Sequence, residues 1–184
     1  MSLKTLIGQL ITPKAPAQLC IPDESHISIA GIDFSRLAEQ GYKLAIFDID
    51  GTLTPFHSYH PAAVAYQTIE AARENGLDVC GLSNTSHSTE SGHRISILEQ
   101  LLGIRIFEAS PRKPHPDALN AVYVFYDTIT PHETVIVGDR LLTDILLAKR
   151  VRAYAIKVEP LPDNEEPLGN SIARLYETII YGQA

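Results

Sequence analysis

Cysteine is scarce in this chain, with only Cys20 and Cys80 among 184 residues. The two show no metal-ligand spacing and no secretory leader precedes them, so the expected compartment is reducing and cytoplasmic. Cys80 lies in the strand-like run "LDVCGLS", where the expected role is an inert core thiol. Long apolar runs are missing too: none approaches the roughly 20 residues that cross a bilayer. Positive charge is in deficit, with 15 Lys and Arg against 22 Asp and Glu, a net −7. A surface of that sign has no overall attraction for nucleic acid, and no nucleic-acid partner is expected. Only a local basic patch for a small phosphate remains. Internal repeats and low-complexity tracts are also absent. What is left is an ordinary soluble composition, 45% hydrophobic and 20% charged, at a length that buries one core.

The segments that are present alternate. "KLAIFDI", "LDVCGLS", "IRIFEA", "TVIVG" and "AYAIKV" read as strands. Between them "PAAVAYQTIEAAREN", "ESGHRISILEQLL", "PDALNAVYVFYDT" and "LLTDILLAKR" read as helices. Pro61 is placed in the first turn of the first helix, and Gly76 beyond its end. This order predicts an α/β fold, a Rossmann-like parallel sheet with helices on both faces. Residues 1–42 form a lead, irregular through "TPKAPAQLCIPDESHIS". At its start Leu3, Leu6, Ile7, Leu10 and Ile11 have helical spacing, which predicts a short amphipathic helix on the core or on a membrane surface. A last helix is expected to carry Ile172, Leu175 and Ile179 on one stripe.

"FDIDGTLTPF", residues 47–56, drives an apolar strand straight into two carboxylates. In a parallel sheet ligands gather beyond the carboxyl ends of the strands, and Asp48, Asp50, Ser83, Asn84 and Asp139 all fall there. A hard cation would relieve the repulsion between these acids, and magnesium takes one or two carboxylates with phosphate and water. A carboxylate can also attack phosphorus, while a second one moves the protons of the leaving alcohol and the incoming water. The cluster Lys149, Arg150 and Arg152 ends a helix on the opposite rim and is assigned to its dipole. His57, His60, His87 and His93 lie near the expected mouth and read as solvated loop residues. Arg112 and Arg140 flank the motifs, and spacing leaves open whether they face the site.

"DIDGT" at 48–52, "LSNT" at 82–85, "RKP" at 112–114 and "GDRLLTD" at 138–144 resemble, in order and strand context, the four motifs of haloacid dehalogenase-like phosphatases. The resemblance spans roughly residues 43–160 and makes 43–184 the phosphatase domain. It implies Asp48 as nucleophile and magnesium ligand, and Asp50 as general acid and base whose carbonyl also meets the metal. It implies Ser83, with Asn84 beside it, as phosphate binder. Lys113 would neutralise phosphate and nucleophile, and Asp139 would ligate Mg2+. Thr52 and Asp144 would support these groups from behind, Asp144 orienting Lys113 or a water ligand. The second aspartate favours a phosphatase over a dehalogenase, which lacks it.

Neither the Asp48–Ser83 nor the Ser83–Lys113 interval has room for a cap domain, so the crevice is expected to be open. An open site suits a lipid headgroup, a protein or a polymer end. "IPDESHISIAGIDFSRLAEQGYKLAIFDIDGTL" and "VGDRLLTDI" resemble the capless phosphatidylglycerophosphate phosphatase group and its bacterial relatives. Members commonly carry asparagine where this chain has Gly51. The resemblance implies a phosphorylated lipid as partner and peripheral contact with the inner face of a membrane. Two other readings stay open. One is a soluble phosphatase for sugar phosphates or nucleotides, closed by oligomerisation. The other is a non-catalytic assembly protein on the same scaffold.

Overall fold

A computed structural model describes residues 17–84, 89–162 and 177. The expected helices over residues 1–11 and around Ile172, Leu175 and Ile179 lie outside those residues, as does His87. Among the described residues six strands form one parallel sheet: β1 (Glu24–His26), β2 (Leu44–Phe47), β3 (Asp78–Ser83), β4 (Arg105–Glu108), β5 (Thr134–Gly138) and β6 (Tyr154–Val158). Their order is β1-β6-β5-β2-β3-β4. β2 therefore lies between β3 and β5, with Phe47 in register with Gly81 on one side and Val137 on the other. The chain steps outward from β2 to β4, then crosses back to start β5 on the other side. The carboxyl ends of β2 and β5 thus border the switch point, where such sheets open a crevice.

Strand alternation assigns the two faces. Ala45 and Phe47 of β2 join one core with Val79, Val137, Leu37, Ile69 and Leu98. Leu44 and Ile46 join the other with Leu82, Ile136, Leu119, Val122 and Leu147. The first face is covered by α1 (Phe34–Glu39), α2 (Ala63–Glu74) and α3 (Thr89–Leu102). The second is covered by α4 (Asn120–Phe125) and α5 (Leu146–Val151). With both faces dry, the central strands need no polar alternation, and β2 is buried at all four positions.

Local boundaries depart from the pattern in four places. Helix α2 starts at Ala63, not at Pro61, because Ala62 is extended and gives its N–H to Leu53 O at 2.9 Å. Its other end closes as expected: Gly76 sits at φ +84, with Gly76 N–H bonded to Arg73 O and Leu77 N–H to Ala72 O. The lead is not irregular throughout, since Glu24–His26 pairs in parallel with β6. Glu24 ties this edge down by accepting from Arg36 and from the Tyr154 hydroxyl. The helix predicted over "LLTDILLAKR" opens instead with a wide π turn, Leu141–Ile145, and the one over "PDALNAVYVFYDT" opens with a 3-10 turn, Pro116–Leu119.

Candidate active site

Asp48 follows β2 directly, and its N–H still bonds Val137 O at 2.9 Å. The first carboxylate therefore leaves the sheet on the last rung of the ladder, beside β5. The chain then folds back tightly, with the N–H groups of Leu53 and Thr54 converging on Ile49 O at 3.0 and 2.9 Å. Gly51 sits in this turn at φ +89, and a Cβ there would stand 2.6 Å from Asp139 Oδ2. The positive φ favours glycine, and a side chain here would require the Asp139 carboxylate to shift. At the end of β5, a Cβ on Gly138 would meet Asp144 Cβ at 2.4 Å, so this glycine lets Asp144 lean over the strand end.

Into this corner comes Lys113 from the loop after β4. Its Nζ donates to Asp48 Oδ1 at 2.5 Å, Asp144 Oδ1 at 2.7 Å and Leu82 O at 2.9 Å. Asp48, Asp139 and Asp144 each offer a carboxylate oxygen within 4.8 Å of the others. Three carboxylates against one ammonium leave a formal charge of −2 when all are ionised. Burial pushes the Asp48 carboxyl well above the usual carboxylate range; Lys113 opposes the shift, and Asp144 and Asp139 add to it. Burial works against the Lys113 charge as well, but Asp144 and Asp48 more than offset it and hold the ammonium above its ordinary range. Thr52, buried in the turn, has a hydroxyl with no hydrogen-bond partner among the described residues. Three carboxylates whose mutual repulsion one ammonium only partly offsets, with an unspent Thr52 hydroxyl in the adjoining turn, fit a hard divalent cation such as Mg2+.

Asp50 stands apart from that cluster. Its Oδ1 accepts from His57 N–H at 3.0 Å and from Arg94 Nη2 at 2.6 Å, and its Oδ2 accepts from Arg94 Nη1 at 3.2 Å. Arg94, on α3, is 6% exposed. It was not among the residues singled out from the sequence. A signal existed: Arg94, Leu98 and Leu102 share one helical stripe, and the two leucines face the core. An arginine on a buried stripe needs an anion.

Ser83 ends β3 and is buried, its carbonyl accepting Ala109 N–H at 2.8 Å. The Asn84 side chain turns to the Lys113 main chain, accepting from its N–H at 2.7 Å and donating to its carbonyl at 3.2 Å. In this geometry Asn84 fixes the lysine loop. Arg112 bonds the Asn84 carbonyl through Nε at 3.1 Å. Arg140 turns toward Glu177, whose carboxylate takes the N–H groups of Leu141 and Leu142 at 3.1 Å each. His57 serves through its main chain, His60 and His93 are exposed, and the His93 ring lies 6.5 Å from that of Tyr59. Lys149 pairs with Asp23, and Arg150 donates to Pro114 O at 2.9 Å.

Known proteins resemble this chain over most of its length. Phosphatidylglycerophosphate phosphatase 1, chloroplastic/mitochondrial, of Arabidopsis thaliana is 32% identical over 171 residues, 91% of this chain and 49% of that protein. The chain thus spans about half the length of that relative. The probable phosphatase YqeG of Bacillus subtilis is 29% identical over 145 residues, 79% of this chain and 80% of that one. A crystal structure of an uncharacterized protein from Corynebacterium glutamicum shares the fold with a TM-score of 0.51 at 19% identity, covering 78% of this chain and 98% of that one. The family model described as mitochondrial PGP phosphatase matches residues 7–160, motifs and sheet included, and the chain belongs to that family.

Proposed function

We propose that this chain is a magnesium-dependent phosphomonoester hydrolase working through phospho-Asp48, with phosphatidylglycerophosphate or a similar lipid phosphate as substrate. The observation that carries the reading is Lys113, buried between Asp48 and Asp144 beside Asp139. Asp48, Asp139 and the Asp50 carbonyl would hold Mg2+, which supplies charge neutralisation for the phosphoryl oxygens. Lys113 opposes the effect of burial on the Asp48 carboxyl and aims it. An Asp48 oxygen attacks phosphorus as the bond to the leaving alcohol breaks, and the Asp50 carboxyl gives its proton to that oxygen. Asp50, now a carboxylate, takes a proton from the water that attacks phosphorus next, and Asp48 departs as the free carboxylate. Ser83 lies at the adjoining strand end and is assigned to the phosphate.

The lipid assignment draws on the names of the relatives and on the open crevice. Among the described residues only a turn and α2 separate Asp48 from β3, and only α3 and β4 separate Ser83 from Lys113, so no cap domain covers the site among them. No described helix is long and apolar enough to cross a membrane, so contact with a lipid surface would be peripheral. The test is phosphate release, with and without Mg2+, from the lipid phosphate in detergent and from a panel of sugar phosphates and nucleotides. Asp48→Asn keeps the volume and removes the nucleophile, so release should fall by at least about 10³-fold. Near-wild-type turnover in that variant would sink the covalent mechanism. Faster turnover of a sugar phosphate than of the lipid would move the substrate to the soluble class.

A further inference from the structure

Among the described residues Arg94 makes four hydrogen bonds, each toward the turn and flap that follow Asp48. Two go to the Asp50 carboxylate, Nη2 to Oδ1 at 2.6 Å and Nη1 to Oδ2 at 3.2 Å. Nη2 also donates to Thr54 Oγ1 at 3.2 Å, and Nε donates to Ser58 O at 2.8 Å. The guanidinium plane therefore fixes the carboxylate plane and binds the 54–58 flap to α3 in the same act. The two carboxylate oxygens are not treated alike. Oδ1 takes two donors, His57 N–H and Nη2, which fill its in-plane lone pairs. Among the described residues Oδ2 takes one bond, the longer one from Nη1, which leaves it a lone pair.

We propose that Arg94 is a positioning residue that presents Asp50 Oδ2 to the leaving-group oxygen, a role that rests on Asp50 acting as acid and base. Oδ2 carries the proton to the departing oxygen and later receives one from water, while Oδ1 stays anchored. A lysine cannot replace this fork. Its ammonium can pair with one carboxylate oxygen, but it has no rigid plane reaching Thr54 and Ser58 as well.

The leaving group separates positioning from mere support. An aryl phosphate such as p-nitrophenyl phosphate departs without a proton, whereas an alkyl phosphate needs one. Because kcat/KM reports the step in which the leaving group departs, the ratio of the alkyl to the aryl value reads the acid alone. That ratio is independent of the fraction of enzyme that is folded. Arg94→Lys and Arg94→Ala should lose about 10²-fold in kcat/KM for the alkyl ester. For the aryl ester the loss should be at least tenfold smaller. Asp50→Asn, run beside them, should show the same bias. Equal losses on both esters in the lysine variant would make Arg94 a structural strut and overturn the proposal, as would no loss on either. If Asp50→Asn shows no bias, or the wild-type protein releases no phosphate, the acid–base reading itself fails and the proposal falls with it. Melting temperatures of all three variants identify the one in which folding is preserved, and the lysine variant keeps charge and most of the volume if alanine does not fold.

Discussion

Lys113 shows most plainly how single residues hold the site. A buried ammonium between Asp48 and Asp144 exists only because each neutralises the other's burial. Lys113→Met keeps the stem and removes the charge, leaving carboxylates facing one another in a dry corner. Breaking a buried pair from one side costs about 3–5 kcal/mol. The pH dependence follows from the sign of the Asp48 shift. Burial already raises the folded-state pKa of Asp48, and Lys113 is the main force opposing it. Without the lysine the folded value rises further, so the variant loses stability as pH climbs through and above the usual carboxylate range. The gap between wild type and Lys113→Met should therefore be wider at pH 8 than at pH 5 in urea unfolding without metal. Magnesium should narrow it at pH 8, because a cation replaces part of the missing charge. A gap independent of pH would mean that lost packing, not charge, is the cause.

At the scale of elements, the turn that carries Asp144 depends on a distant residue. The Leu141 and Leu142 N–H groups open that turn and end on the buried Glu177 carboxylate. Hydrogen bonds to a charged acceptor contribute about 1.5–3 kcal/mol together with the cost of leaving amides bare. Glu177→Ala should lower the urea midpoint accordingly and weaken Mg2+ binding, measured by calorimetry, because the turn adjoins Asp139. Glu177→Gln, which keeps one acceptor, should lose less; equal losses would point to packing alone. No sequence signal links Glu177 to residues 36 positions away. Other elements were legible. β2, β3 and β5 are buried on both faces and so appear as unbroken apolar runs, and the acids at their ends follow from the geometry of parallel sheets. β1 was hidden because "ESH" has neither an apolar run nor alternation; it is a strand only because β6 offers an edge. The place of Lys113 beside Asp48 came through family resemblance, since a loop lysine has no periodicity of its own. Arg94 is readable as a charge on an apolar stripe, but charges on helices are mostly solvated, and spacing alone does not separate the two cases.

The whole molecule carries −7 formal charges, and its proposed substrate lies in a membrane that is itself anionic. The two bodies therefore repel over a distance set by salt, with a Debye length of about 30 Å at 0.01 M and about 8 Å at 0.15 M. Close to the surface a local charge acts as well: Arg112, beside the Lys113 loop, is exposed. If net charge governs encounter, raising NaCl from about 0.01 to 0.15 M should speed hydrolysis of the lipid phosphate in vesicles rich in phosphatidylglycerol. The same fraction of substrate in phosphatidylcholine vesicles should respond far less, and a neutral-headed detergent micelle less again. The expected gain is several-fold in kcat/KM with kcat nearly constant, because screening alters encounter and leaves the buried cluster of Asp48, Lys113 and Asp139 untouched. Salt that slows the reaction on anionic vesicles would mean that local basic contacts at the mouth dominate, as they do for polybasic membrane-binding segments. The Arg112→Gln variant then separates the two forces: it should lose the salt-induced slowing if Arg112 is that contact. If net charge prevails, its removal adds one more unit of repulsion and steepens the salt-induced gain.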